Sequence, residues 1–175
     1  MLELEQFSRN FAPHSVPAVL ADLLAFQNMS RKWYSWGFEL DAIPQEKLNA
    51  YVNEKSISEF FCIGRDGRDS LYALWRYKDI PLGEAPVVYF DSEGEGSGLL
   101  ASNLLEFLTL LAHDDSPFLG RYEAEGLTNE HSPRNQEFRD WLELHYGLHA
   151  AEDPNAIVQR ARSQYPALPL LYPAE

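Results

Sequence analysis

The spacing of apolar residues changes period several times along the chain. Val16, Val19, Leu20, Leu23, Leu24 and Phe26 recur at helical spacing, with Pro17 in the first turn, and predict an amphipathic helix over roughly 15–29. From Tyr34 the period becomes two. Tyr34, Trp36, Phe38 and Leu40 fall on one face and Ser35, Gly37 and Glu39 on the other, which predicts a half-buried strand. Pro44–Tyr51 reads as a short helix. Phe60–Ile63 is a continuous apolar run, expected of a strand covered on both faces. Asp66-Gly67 supplies the left-handed conformations of a tight hairpin, and Leu71, Ala73, Trp75 and Tyr77 alternate on the returning strand. Val87–Phe90 predicts another strand, the Glu93–Gly98 segment a turn, and Leu99–Ala101 a few residues of pairing.

Helix signals dominate the rest. Asn103 with Glu106 is a capping-box pattern opening a helix with the stripe Leu104, Phe107, Leu108 and Leu111. Ser132-Pro133 reads as a cap and N1 proline before the stripe Phe138, Trp141 and Leu142, which Gly147 stops. Asp153-Pro154 repeats that signal for a helix to about Tyr165. Prolines 166–173 exclude regular helix in the tail, which is expected to pack on its own domain. The expected fold is α+β: a mostly antiparallel central sheet of about four to six strands flanked by helices, with a helical C-terminal extension. The predicted organisation is an α+β core over 1–112 and an acidic helical extension over 113–175 on the same domain.

Charge narrows the partners. Lys and Arg number 14 against 27 Asp and Glu, a formal net charge of −13, in a chain with 13% aromatic residues and therefore ample core material. Such a domain repels phosphate backbones and anionic membranes but suits a basic protein. A single cysteine, Cys62, excludes an intrachain disulfide. The opening Met-Leu-Glu-Leu-Glu-Gln is not a secretory signal pattern, and the apolar stretch 104–112 is interrupted by Glu106. The expectation is a cytoplasmic protein.

Candidate chemistry is sparse. His14, His113 and His131 stand apart from one another, and Gly147 separates His145 from His149 where a zinc helix would need both rings on one face. Cys62 sits among Phe60, Phe61 and Ile63 and reads as a small hydrophobe. Ser97 lacks the first glycine of a nucleophile elbow, because Glu95 stands there. Asp91–Gly96 begins like a calcium loop, but Ser102 occupies the position that needs a bidentate glutamate. Gly96–Ala101 fits G-x-G-x-x-A, yet no second parallel strand follows the next helix. No catalytic set, metal or cofactor is expected. Trp33 points away from the Tyr34/Trp36/Phe38 face, as an exposed aromatic anchor would.

Phe60-Phe61-Cys62-Ile63-Gly64-Arg65-Asp66-Gly67, then Ser70–Trp75, Pro86–Gly94 and Leu100–Leu108, resemble the hairpin, short strand and helix of the SUKH superfamily over roughly residues 34–112. That superfamily includes yeast cell-wall synthesis regulators, the bacterial Syd protein and many bacterial immunity proteins. The resemblance implies an α+β protein-binding domain, in bacteria most often an immunity protein that neutralises a toxin. A basic, nuclease-type toxin would be drawn to a −13 inhibitor. Trp33, Asp66, Asp69, Glu93 and Glu95 are the expected partner contacts, chosen for charge and exposure. Two alternatives stand beside this reading: an adaptor binding a housekeeping protein, and a nucleotide- or metal-binding enzyme using the Gly94–Gly98 loop.

Overall fold

Five short strands, β1 (Glu39–Leu40), β2 (Phe60–Arg65), β3 (Leu71–Trp75), β4 (Val87–Phe90) and β5 (Gly98–Ala101), pair in sequence order, each antiparallel to the next. The computed structural model describes residues 1–93, 96–114 and 131–171. Alternation along the strands sends side chains to two separate apolar layers. Phe61, Ile63, Tyr72, Leu74, Val87, Tyr89 and Leu100 enter one layer. Phe60, Cys62, Leu71, Ala73, Trp75, Val88, Phe90 and Leu99 enter the other. Every residue of β3, β4 and β5 is buried, which is why these strands are apolar at consecutive positions.

The first layer is covered by α1 (Leu4–Ser8), α2 (Ala18–Asn28), α3 (Leu104–His113) and α4 (Asn135–Tyr146), through residues such as Phe7, Leu23, Phe107 and Phe138. The second is covered by the 3₁₀ turns at 45–50 and 54–59, by Ala161 of α5 (Pro154–Gln164), and by the tail residues Leu168 and Leu170. Val52 forms an antiparallel bridge with Leu170, so the tail is held on the domain as expected. The region after Ala112 thus supplies cover to both faces of the sheet.

Helix ends follow the cap chemistry. Asn103 accepts the Glu106 N–H (2.9 Å), and Asp153 accepts the Ala156 N–H (3.0 Å). Gly147, at φ 65°, ends α4. The Ser132-Pro133 expectation is corrected: α4 starts at Asn135, and Ser132 contributes its carbonyl to the Asn135 N–H (3.0 Å).

Two further corrections concern the first strand and the hairpin. Only Glu39 and Leu40 pair in the predicted 34–40 strand; Ser35 is buried and Trp36 is 48% exposed, the reverse of the expected faces. Side chains engage this segment's backbone where a ladder was expected. Asp114 accepts the Trp36 N–H (2.9 Å), and the Tyr72 hydroxyl donates to the Gly37 carbonyl (2.7 Å). The hairpin loop spans Asp66–Ser70, and its left-handed residue is Asp69 (φ 63°) rather than Gly67.

Primary amides complete what the short strands leave open. Gln27 donates to the Leu40 carbonyl (3.0 Å) and accepts the Leu40 N–H (2.8 Å), closing the outer edge of β1 there. Asn28 does the same for both backbone groups of Leu2 (2.8 and 3.2 Å). Asn10 donates to the Asp41 and Cys62 carbonyls (2.8 and 3.0 Å) and accepts the Ile43 N–H (3.0 Å). No helix among the described residues is long and apolar enough to cross a membrane.

Candidate functional site

The antiparallel order brings the β2–β3 and β4–β5 turns to one end of the sheet, beside β1. Asp66 organises the first turn. Its Oδ1 accepts the N–H groups of Arg68 (2.8 Å) and Ser70 (3.0 Å), and its Oδ2 accepts the Tyr89 hydroxyl (3.1 Å). Burial, reinforced by the nearby charges of Asp66 and Asp91, raises the Tyr89 phenol above its ordinary pKa, so it remains a donor. The two turns are joined by Ser70, whose Oγ donates to Ser92 Oγ (3.2 Å) and accepts the Ser92 N–H (3.1 Å). In the second turn Ser97 Oγ accepts the Asp91 N–H (2.9 Å), and Asp91 accepts the Glu93 N–H (3.1 Å).

Around this frame stand six carboxyl groups, those of Glu39, Asp41, Asp66, Asp69, Asp91 and Glu93, with the guanidiniums of Arg65 and Arg68. Arg65 serves three carboxylates. It bonds Asp69 at 2.9 Å, lies 3.6 Å from Glu39, and sits 2.9 Å from Asp41 as an ion pair without aligned hydrogen-bond geometry. Arg68 lies 3.8 Å from Glu93 and 4.0 Å from Asp66. Burial raises the Glu39 pKa despite Arg65, and neighbouring Asp41 adds to the rise. The carboxylates outnumber their cations, leaving this end of the sheet acidic.

Next to Arg65 lies a groove of about 560 Å³ between β1 and the end of α2. Trp33 lines it half-buried, with Met29, Glu39 and Asp41. A smaller cleft of about 200 Å³ lies between Tyr51 and the Asp91–Glu93 turn. Neither is lined by histidine or cysteine.

The expected contact residues separate on this geometry. Asp69 and Glu93 project outward, with side chains 74% and 65% exposed. Trp33 lies within the groove, whose lining also includes Arg65. Asp66 is corrected: it is 4% exposed and holds the turn from within, so its carboxylate offers nothing to a partner. Glu95 lies outside the described residues. Sequence reasoning missed Glu39, Asp41 and Arg65. The signal available was two carboxylates flanking Leu40, at the i, i+2 spacing that puts both on one strand face.

The remaining motifs are placed as follows. Gly96–Gly98 connects two antiparallel strands, and α3 begins only at Leu104, so this loop does not sit on a helix N-terminus as a phosphate cradle would. No group of three or more His, Cys, Asp or Glu poised to hold a metal occurs among the described residues. His145 bonds the Trp141 carbonyl (2.9 Å) within its own helix. Cys62 is buried, and burial pushes its thiol up to about 12. The thiolate is therefore negligible at pH 8, and labelling by a thiol reagent should wait on unfolding but be immediate in denaturant. Rapid labelling of the native chain would contradict this placement. No family model, curated protein or solved structure matches the chain.

Proposed function

We propose that the chain is a non-enzymatic, cytoplasmic protein-binding domain of the immunity type, which neutralises a basic toxin by covering its active surface. The observation that carries this reading is the surplus of carboxylates at the turn end of the sheet, with an aromatic-lined groove beside it. The net charge of −13 supplies long-range attraction of the matching sign, and the SUKH resemblance supplies the class of partner. The exposed pair Asp69 and Glu93 forms the leading contact.

Co-expression with the toxin encoded beside its gene tests the reading. Cell survival and a complex on gel filtration are expected; continued killing with no complex would remove it. Asp69→Asn with Glu93→Lys should slow association about tenfold at low salt, with a smaller effect at high salt. Asparagine is used at 69 because the backbone there is left-handed, a conformation asparagine tolerates. An unchanged association rate would place the contact elsewhere.

A further inference from the structure

The small cleft between Tyr51 and the Asp91–Glu93 turn holds a carboxylate that the fold leaves uncompensated. Asp91 is 8% exposed and lines this cleft. Its Oδ1 accepts the Glu93 N–H (3.1 Å), and its Oδ2 has neither a hydrogen bond nor an ion pair among the described residues. Arg68 is held elsewhere, by Glu93 (3.8 Å), Asp66 (4.0 Å) and the Tyr89 hydroxyl. A carboxylate taken out of water without a cation is costly, and a positive charge brought against it offsets that cost. The place beside it is kept open by Gly96, where a Cβ would lie 2.9 Å from Asp91 Oδ2 and crowd it. The cleft is lined by Tyr51, Glu93 and Ser97 but by no Lys, Arg or His among the described residues, and Arg162, which rests against Gly98, is outside it. The half-buried Tyr51 ring is backed by Phe90 at a centroid distance of 5.3 Å. Burial raises the Tyr51 phenol above its ordinary pKa, and Asp91, Asp66 and Asp69 each add to the rise, which marks the negative potential there. The volume of about 200 Å³ is below the roughly 300 Å³ at which pockets for whole small molecules begin, and suits a single side chain.

We propose that this cleft receives one arginine side chain of a basic protein partner, its guanidinium against the Asp91 carboxylate and its plane against the Tyr51 ring. The proposal rests on the protein-binding reading above and supplies the point at which the partner's cation is seated. A guanidinium suits both walls: it is weakly hydrated, stacks on an aromatic face, and offers a carboxylate two N–H groups at once. Glu93, exposed and already beside Arg68, adds attraction toward the cleft, while the buried Asp91 forms the seat.

The test uses the full chain, ¹⁵N-labelled, with two capped probes of the same shape: Nα-acetyl-arginine methylamide and its citrulline counterpart, whose side chain is uncharged. At millimolar concentration the arginine probe should shift the amides of Tyr51, Asp91, Ser92 and Ser97. The citrulline probe should bind about tenfold more weakly. Asp91→Asn keeps an oxygen for the Glu93 N–H, so the turn should be retained, and the preference between the probes should vanish. Glu84→Gln removes an equal charge from the β3–β4 connection and should leave the preference intact, which separates the cleft from the general field of the chain. Gly96→Ala alters no charge and should weaken the arginine probe by crowding Asp91. Equal binding of the two probes by the native chain, shifts centred elsewhere, no shift, or a preference that survives Asp91→Asn would overturn the proposal. The outcomes separate from those of the parent reading. A purified toxin bound equally well by the Asp91→Asn variant removes the cleft and leaves the binding domain; arginine-selective binding in the cleft with no toxin complex does the opposite.

Discussion

Asp66→Ala should destabilise the fold by about 3 kcal/mol, a loss seen in the denaturation midpoint before any loss of partner binding. The carboxylate is buried and accepts from Arg68 N–H, Ser70 N–H and the Tyr89 hydroxyl. Ser70 and Tyr89 are themselves buried, so alanine leaves their donors without water to turn to. The damage would spread, because Ser70 also carries the bonds to Ser92 that join the two turns. Asp66→Asn is the control. Its amide oxygen can accept both backbone N–H groups, while its NH₂ can donate to the Tyr89 oxygen, at a cost of about 1 kcal/mol. Urea denaturation of the two variants, with an unchanged slope, decides the matter. If Asp66→Ala keeps the native midpoint but associates slowly with a partner, the residue is a contact after all.

This reassignment of Asp66 marks where sequence reasoning ends. An aspartate in a polar turn has the same local signature whether its carboxylate points to solvent or folds back onto its own backbone. What separates Asp66 from Asp69 is Tyr89, 23 residues away from Asp66 on β4. Elements with signals inside one turn of chain were legible: the Asn103 and Asp153 caps, the Gly147 stop, the stripe of α3, and the apolar runs of β2 and β4. The 34–40 segment was misread because its alternation is real in composition but its backbone partners are side chains. Gln27 reaches Leu40 from 13 residues away, Asn10 reaches Cys62 from 52, and Asp114 reaches Trp36 from 78. No periodicity encodes such bonds. The candidate site divides in the same way. Asp69 and Glu93 were visible as turn carboxylates, whereas Glu39 and Asp41 join them only because β1 pairs with β2 and brings both to Arg65.

Gly64→Ala should cost about 3 kcal/mol and release β1 from the sheet. Gly64 pairs with Leu40 next to an irregularity in the β2 register. A methyl group there would collide with the Glu39 carbonyl oxygen and lie 2.6 Å from the nearest carbon of the Phe38 ring. The ring cannot withdraw freely, since Phe38 is buried edge-on against Tyr72 and Phe107 at centroid distances of 5.0 and 5.1 Å. The carbonyl belongs to β1 itself, so the easier relief is for β1 to move away. That motion would pull Leu40 from the Gln27 amide and carry Glu39 and Asp41 away from Arg65. Hydrogen exchange can separate this from general unfolding. In the folded fraction the Leu40 N–H should lose protection, while the N–H groups of β3 and β4 keep theirs until global unfolding. A variant with native Leu40 protection and an unmoved denaturation midpoint would mean that the strands accommodate the methyl group, and that the closeness of Gly64 to β1 does not hold the groove in shape.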